Sequence, residues 1–257
     1  MGPHVSTTIG DERRLLDTHC HLDAFPDPIA VLRAATVAGV DVVAVTEDPG
    51  SYRLLRTRLG PRTEATLAVG FHPLRVGSLT PHDLARFLRL LPQASWVGEI
   101  GLDFSPAGAP TKKQQLRAFD AILAEPLLAR RPVTVHSRGA HDAVIDRLAG
   151  AQVPAIMHWF TGSTTSLEKA IEAGLWFSVN RAMTRSARAA TLVRHFPRDR
   201  VLLETDGPYS RDAGRPFAPA ALGGVVDDLA LMWGQTQEQI RSTIVGNQRR
   251  FLSRSVK

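Results

Sequence analysis

The chain has 257 residues, of which 44% are hydrophobic and 22% are charged, and its formal net charge is +6 at pH 7. This composition is typical of a globular protein. It excludes a disordered chain, which would have fewer aliphatic residues, and a membrane-spanning protein, which would need about 18 or more consecutive apolar residues. Cys20 is the only cysteine, which excludes a disulfide framework and a zinc site with several cysteines. Residues 1–14 lack the apolar segment of a secretory signal, so we expect a cytoplasmic protein with a flexible extension at 1–14 and one domain at 15–257.

Short apolar runs rich in β-branched residues alternate with longer amphipathic stretches. The runs predict eight strands, at Leu15–Asp17, Val40–Val45, Thr66–Val69, Trp96–Ile100, Pro132–Val135, Pro154–Met157, Leu175–Val179 and Val201–Leu203. The stretches between and after them predict helices at Ile29–Ala38, Pro81–Leu91, Lys112–Ala129, His141–Leu148, Ser166–Ala173, Arg185–His195 and Glu238–Phe251. Eight strands that alternate with helices predict a parallel sheet closed into a (β/α)8 TIM barrel. The competing doubly wound sheet would have a glycine-rich phosphate loop after an early strand, and the sequence has none.

Histidines and carboxylates follow five of these strands at their C-terminal ends. They lie in the segments Asp17–His21, Glu99–Asp103, His136–Arg138, His158–Phe160 and Glu204–Pro208. Because the C-terminal ends of barrel strands converge on one mouth, we expect four histidines and two carboxylates to meet there. Strand alternation would turn His19 and His21 inward and Cys20 outward. A metal centre explains this gathering better than four histidines that each bond separately to the backbone.

These motifs resemble the TatD family of metal-dependent deoxyribonucleases, whose fold is an amidohydrolase-like TIM barrel. The similarity runs from residue 16 to about residue 251 and rests on Asp17–Asp23, Gly70–Pro73, Gly98–Asp103, His136–Arg138, His158–Ser163 and Glu204–Tyr209. The segments His158–Phe160 and Trp176–Val179 are similar to the TatD-like member of the Qat anti-phage defence system. The resemblance implies a single barrel of the metallo-dependent hydrolase type. It would cleave phosphodiester bonds of DNA, in single strands or at strand ends, as a defence component with Qat-type partner proteins.

The resemblance also implies two divalent ions. The first would be held by His19, His21, Glu99 and Asp206, and the second by Glu99, His136 and His158, so that Glu99 bridges them. A shell rich in nitrogen suits zinc, manganese, nickel or iron, whereas the family is usually described as magnesium-dependent, and the identity of the ions stays open. Asp206 would be both a ligand and the general base for the attacking water.

Other residues near the mouth are candidates for substrate binding or support. Arg138 would clamp the phosphate, because a guanidinium fork matches phosphate oxygens. His72 would either donate to the scissile phosphate or bond to a loop carbonyl. Glu204 would either fix a metal ligand through a hydrogen bond or be a hydrogen-bonded core carboxylate, and Asp103 would support Glu99 or a loop. Trp159 is expected to pack beneath its loop rather than to stack on a base.

Further candidates and two departures from the family pattern concern the loops after the third, seventh and eighth strands. Asn180 and Arg181 are further candidates for substrate contact at the rim. Leu74 stands where many family members have a second histidine, which predicts a changed preference at the third-strand loop. Gly207 stands where a serine is common, which predicts extra room and a missing hydroxyl.

Two alternatives remain. The same ions would suit an amidohydrolase-type enzyme that acts on a modified nucleobase, a nucleotide, an ester or an amide, because ions that polarise water and a carbonyl serve those reactions as well. The chain would otherwise be a non-catalytic metal-binding subunit of a defence complex.

Overall fold

The computed structural model describes residues 14–61 and 63–254. Eight parallel strands close into a barrel in chain order, and the pairing of Asp17 with Leu203 joins the last strand to the first. The strands are β1 (Leu15–Cys20), β2 (Val40–Ala44), β3 (Thr66–Val69), β4 (Trp96–Gly101), β5 (Val133–His136), β6 (Ala155–Met157), β7 (Trp176–Val179) and β8 (Val201–Leu203). The predicted TIM barrel is confirmed.

The α-helices of the described residues surround the barrel. They are α1 (Pro28–Val37), α2 (Pro49–Leu59), α3 (Pro81–Leu90), α4 (Lys112–Leu123), α5 (His141–Ala151), α6 (Thr164–Glu172), α7 (Arg181–Arg185), α8 (Ala187–Val193), α9 (Gly223–Trp233) and α10 (Gln237–Arg254). A two-stranded hairpin, β9 (Arg211–Asp212) with β10 (Arg215–Pro216), projects from the loop between β8 and α9. None of these helices combines the length and the apolar character that crossing a bilayer requires.

Several predicted helix bounds were wrong. The helix predicted to reach residue 129 ends at Leu123, and a separate 3-10 turn follows over Pro126–Arg130, because proline cannot continue a helix. The helix predicted at 185–195 corresponds to α8 (Ala187–Val193), whose start the Ser186 side chain caps by accepting a hydrogen bond from the Ala189 amide, and α7, which ends at Arg185, was not predicted. The sequence analysis missed α2, although Asp48 and Pro49 form a helix start in which the aspartate accepts from the Gly50 and Ser51 amides.

The barrel interior below the mouth is filled by one apolar cluster. It comprises Leu16, Val43, Val45, Ala68, Trp96, Ile156, Trp176, Leu202 and Phe251. Phe251 comes from α10 and contacts the rings of Trp96 and Trp176, with centroids 5.9 and 5.3 Å apart. The interior is therefore solid at this end, and polar chemistry is restricted to the opposite end, where the strands terminate.

A register shift in β1 places His19 at the mouth of the barrel. Leu16 lies in the interior cluster, but the pairing of β1 with β2 shifts between Asp17 and Cys20. Beyond this shift Cys20 packs in the outer apolar layer and His19 lies at the mouth.

The predicted extension falls on residues 1–13, which lie outside the described residues. Its last residue, Arg14, immediately precedes β1, and its Nε donates to Asp41 Oδ1 at 2.7 Å.

Candidate metal centre

One cluster of donor atoms lies where β1, β4 and β8 end. The Nε2 of His19 is 3.3 Å from Nε2 of His21, 3.5 Å from Oε2 of Glu99 and 3.7 Å from Oδ1 of Asp206. The Nε2 of His21 is 3.2 Å from the same Glu99 oxygen and 3.6 Å from the same Asp206 oxygen. Four ligands bound at about 2.0–2.2 Å around a tetrahedral ion would be about 3.3–3.6 Å apart. These four buried side chains therefore have the spacing and the chemistry to hold a divalent cation.

The second oxygen of Glu99 belongs to another set of donors. Its Oε1 is 2.7 Å from Nδ1 of His136 and 3.6 Å from Nε2 of His158. Glu99 is 2% exposed and divides its two oxygens between the two sets. This is the arrangement of a carboxylate that bridges two cations. The buried histidine and carboxylate clusters at the mouth thus suit a binuclear metal site.

Three of the imidazoles are held by a hydrogen bond on the nitrogen that faces away from the centre. Thr134 Oγ1 lies 2.7 Å from Nδ1 of His19, and Asp103 Oδ2 lies 2.8 Å from Nε2 of His136. Glu204 Oε2 lies 2.9 Å from Nδ1 of His158. A partner on one ring nitrogen fixes the tautomer and leaves the other nitrogen available to an ion. The rings are therefore oriented by the protein itself.

Two of these partners were not anticipated in this role. The sequence analysis expected Asp103 to support Glu99 or a loop. Its Oδ1 holds the loop after β4, as expected, by accepting from the Ser105 amide at 2.8 Å, and its Oδ2 also lies 2.8 Å from Nε2 of His136. Thr134 was not singled out. It precedes His136 by two residues on β5, so the strand period places both on one face, and that spacing was the available signal.

Glu204 is fully buried and accepts four hydrogen bonds. Oε2 accepts from His158 and from the Ser178 hydroxyl at 2.5 Å, and Oε1 accepts from Asn180 Nδ2 at 2.9 Å and from the Trp159 amide at 3.2 Å. Burial raises the pKa of Glu204, but the adjacent His158 acts to lower it, and the net pKa lies below the ordinary value of a glutamate. Glu204 thus combines both expected roles, since it is a core carboxylate and also fixes His158.

The seventh-strand candidates do not lie free at the rim. Asn180 is fully buried, and besides binding Glu204 it caps α7 by accepting from the Met183 amide at 3.1 Å. Arg181 pairs with Asp212 of the hairpin at 2.8 Å. The expectation that Asn180 contacts substrate was therefore wrong, because its amide is buried and bonded within the protein, whereas substrate contact by the half-buried Arg181 stays a prediction.

His72 lies shortly after β3, with its ring next to Glu99. Nδ1 of His72 accepts from the Leu74 amide at 3.2 Å, so the neutral ring carries its proton on Nε2, which lies 3.5 Å from Oε2 of Glu99. His72 therefore presents a donor to the mouth, and its loop partner is an amide rather than the expected carbonyl.

Burial raises the pKa of Asp206 to about 7, although His158 and His21 nearby act to lower it. A cation beside Asp206 would favour its ionised form.

The remaining predicted residues lie around this centre. Arg138 is exposed beyond the end of β5, outside the buried clusters. Trp159 is half-buried against the core, as expected for a packing role. The prediction that Gly207 opens room was wrong, because a Cβ at this position would overlap the carbonyl oxygen of Phe217.

Comparison with known proteins places this fold and site in a family. Residues 16–253 match the family model described as TatD related DNase. The chain is 31% identical to the deoxyribonuclease TATDN3 of Homo sapiens, over 76% of this chain and 78% of that protein. It is 30% identical to the 3'-5' ssDNA/RNA exonuclease TatD of Pantoea vagans, over 85% of this chain and 90% of that protein. The crystal structure of YJJV, a TatD homologue of Escherichia coli K12, superposes with a TM-score of 0.82 and 26% identity, over 94% of this chain and 98% of that chain. The chain belongs to the TatD-related DNase family and is a metal-dependent hydrolase.

Proposed function

We propose that this chain is a deoxyribonuclease that hydrolyses phosphodiester bonds with two divalent ions, acting on single strands or strand ends. The observation that carries the proposal is the division of Glu99 between two donor sets. Its Oε2 is 3.2–3.5 Å from the imidazoles of His19 and His21, and its Oε1 is 2.7–3.6 Å from those of His136 and His158. Two closely spaced ions suit an in-line displacement at phosphorus, where charge develops on both the attacking and the leaving oxygen. The name of the Pantoea vagans relative, an exonuclease of single-stranded DNA and RNA, supports this substrate class.

The ligands proposed for the first ion are His19, His21, Glu99 and Asp206, and those for the second are Glu99, His136 and His158. When bound, the ions supply positive charge to the phosphate and lower the pKa of water. Asp206 accepts the proton of the attacking water, since its buried carboxylate lies beside both histidines of the first set. His72 donates from Nε2 to a phosphate oxygen, and Arg138 reaches a second phosphate oxygen from the rim.

The catalytic assignment is tested with two substitutions in the metal-reconstituted protein. We expect Asp206→Asn and His136→Ala to abolish cleavage of a single-stranded oligonucleotide while circular dichroism shows a native fold. Asp146→Asn and His195→Ala change the same residue types at exposed positions and should cleave like the wild type. Full activity of Asp206→Asn would contradict the proposal.

Elemental analysis and anomalous scattering on freshly purified protein would establish the ions. The proposal requires two per chain, of zinc, manganese or magnesium. One ion per chain at saturation would contradict the bridging role of Glu99.

The alternatives give different results in the same assays. Hydrolysis of small esters or amides by a protein that leaves DNA intact would favour an amidohydrolase-type enzyme. Two bound ions without activity on any of these substrates would favour a metal-binding subunit. A role in phage defence, with Qat-type partner proteins, rests on the sequence resemblance alone. It predicts that phage protection in cells carrying the partners is lost with Asp206→Asn.

A further inference from the structure

Tyr209 stands out among the aromatic residues of this chain. All Phe, Trp and Tyr residues lie in the described part of the chain, and Tyr209 is the only one of them that is exposed, at 56%. It lies in the loop after β8, three residues beyond Asp206. Its ring centroid is 4.8 Å from that of His21, with the planes at 69°. The one exposed aromatic side chain thus lies at the mouth, against an imidazole of the candidate metal centre.

The position of this ring is fixed by its surroundings. The Tyr209 hydroxyl donates to Oε1 of Glu47 at 3.3 Å. The next residue, Ser210, donates its amide to the Asp206 carbonyl at 2.9 Å and its hydroxyl to the Thr205 carbonyl. The Phe217 amide donates in turn to the Ser210 carbonyl at 3.0 Å. Hydrogen bonds therefore hold both the loop and the hydroxyl end of the ring. A ligand that binds against the ring would lose little free energy to ordering of this side chain or loop, because both are already ordered.

The charges around Tyr209 disfavour a phosphate at this place. Glu47 accepts the hydrogen bond of the Tyr209 hydroxyl, and Asp23 lies close enough to act on the phenol. Like charges repel, so these carboxylates oppose a nucleic-acid backbone but not an uncharged ring. Arg138 follows β5, which lies four strands from β1 in the eight-stranded barrel and hence across the mouth. Tyr209 thus lies beside Glu47, which Arg75 neighbours at 3.7 Å, while Arg138 lies across the mouth.

We propose that Tyr209 is the platform on which the nucleobase next to the scissile phosphodiester stacks. This inference rests on the proposed function and makes it more specific, since it assigns the site to a nucleotide with an unstacked base. Every base offers a π-face, so stacking on an aromatic side chain tolerates any sequence. Inside a duplex both faces of a base are covered by its neighbours, whereas a single strand or a strand end leaves a face free. The platform therefore explains a preference for single strands or ends.

Two variants separate stacking from the hydroxyl contact. Tyr209→Phe and Tyr209→Leu both lose the bond to Glu47, but only Tyr209→Phe keeps an aromatic face. We expect Tyr209→Leu to weaken binding of a single-stranded oligonucleotide by about 5- to 150-fold and Tyr209→Phe to stay within about twofold. Leu54→Ala, which removes an exposed apolar side chain of α2, is the control.

The measurement uses metal-loaded protein with Asp206→Asn added to every variant, so that the oligonucleotide is not cut. A terminal 2-aminopurine reports stacking, because its fluorescence is quenched when the base stacks. We expect quenching with Tyr209 and with Tyr209→Phe, and its loss with Tyr209→Leu. An oligonucleotide whose terminal sugar lacks a base should bind Tyr209 and Tyr209→Leu equally.

Three results would overturn the inference: equal affinities for Tyr209→Leu and Tyr209, equal losses in Tyr209→Leu and Tyr209→Phe, or the same loss with the substrate lacking the base. The proposed function is judged separately by cleavage with Asp206 intact. DNA cleavage without 2-aminopurine quenching refutes the platform alone. Quenching in a protein that cleaves no DNA with any of the three metals refutes the nuclease alone.

Discussion

Replacing Glu204 with glutamine should weaken binding of the second ion. The carboxylate accepts four hydrogen bonds, two at each oxygen, and all four donors are buried or half-buried. Glutamine offers one oxygen and one NH2 group, so two of the four donors must face a donor in the variant. The two possible orientations of the amide differ in what those donors can do.

In one orientation the NH2 replaces Oε1 and faces the Trp159 amide and Asn180. The amide cannot accept, and Asn180 cannot turn its oxygen without breaking its bond to the Met183 amide. Two buried donors without an acceptor cost about 2–6 kcal/mol, at about 1–3 kcal/mol each. In the other orientation the NH2 replaces Oε2 and faces Ser178 and His158. A hydroxyl can rotate to accept, and a neutral imidazole, which metal binding requires, can carry its proton on Nε2 and accept at Nδ1.

The second orientation therefore prevails, and its consequence falls on the metal. A proton on Nε2 of His158 occupies the nitrogen that lies 3.6 Å from Glu99, where the second ion would bind. Loss of a partner that orients a ligand costs about 10- to 100-fold in metal affinity. At a saturating metal concentration this is about 1.4–2.7 kcal/mol of lost stabilisation, or about 3–11 °C less of the metal-induced rise in melting temperature.

The assay compares thermal unfolding with and without metal and titrates each protein against a chelator of known affinity. Ser178→Ala is the matched control, because it removes one donor to Oε2 but leaves the carboxylate and His158 in place. We expect Ser178→Ala to bind two ions as the wild type does. If Glu204→Gln binds both ions with wild-type affinity, the assignment of Nε2 of His158 as a ligand atom is wrong.

Three further substitutions test other parts of the site. Asp103→Asn removes the carboxylate partner of His136, and chelator competition should show about 10- to 100-fold weaker binding of one ion, against no change in Asp146→Asn. Thr134→Val keeps the shape of the side chain but leaves Nδ1 of His19 without a partner, so metal affinity should fall by about 2- to 13-fold, while Thr134→Ser retains it; equal affinities in the two would show that the hydroxyl is irrelevant. Gly207→Ser restores the residue common in the family, yet its Cβ would overlap the Phe217 carbonyl, so thermal denaturation should show a loss of stability that Gly150→Ser, with open space around its Cβ, does not share.

The barrel could be predicted because its signal is repeated. Each of the eight predicted strands overlaps an observed one, and parallel strands buried on both faces give continuous apolar runs that are easy to recognise. The helix α9 was not predicted, because it begins with two glycines and its mostly apolar sequence lacks the alternation of polar and apolar faces that identifies an amphipathic helix. The helix α7 was missed because its five residues are too few to show a helical period.

The part of the site that consists of histidines and carboxylates could be predicted from the sequence. A histidine or a glutamate at a strand end is unusual and points to the mouth. Thr134 could not be recognised in this way, because threonine is also a common strand residue and its hydroxyl acquires a role only beside His19. The lack of room at Gly207 depends on the path of the chain at Phe217, ten residues later, which no local pattern contains. Contacts between distant segments were thus the part that the sequence left open.

The charges of the centre are compatible with two dications. Four buried acids surround the imidazoles: Glu99, Asp206, Asp103 and Glu204. Burial lowers the pKa values of His136 and His158, but their carboxylate partners raise them to about 9 and about 10, so in the protein alone protons on these rings balance part of the negative charge. An ion on Nδ1 of His136 and Nε2 of His158 requires neutral rings, and that removes both positive charges. A single dication in the first set would leave both protons in place and the four carboxylates balanced, whereas a second ion must displace both protons and supplies the same two charges. Two dications balance all four carboxylates. The first set of ligands contains two carboxylates, whereas the second contains only Glu99. Asp103 and Glu204, which lie behind His136 and His158, supply the negative charge that the second set would otherwise lack.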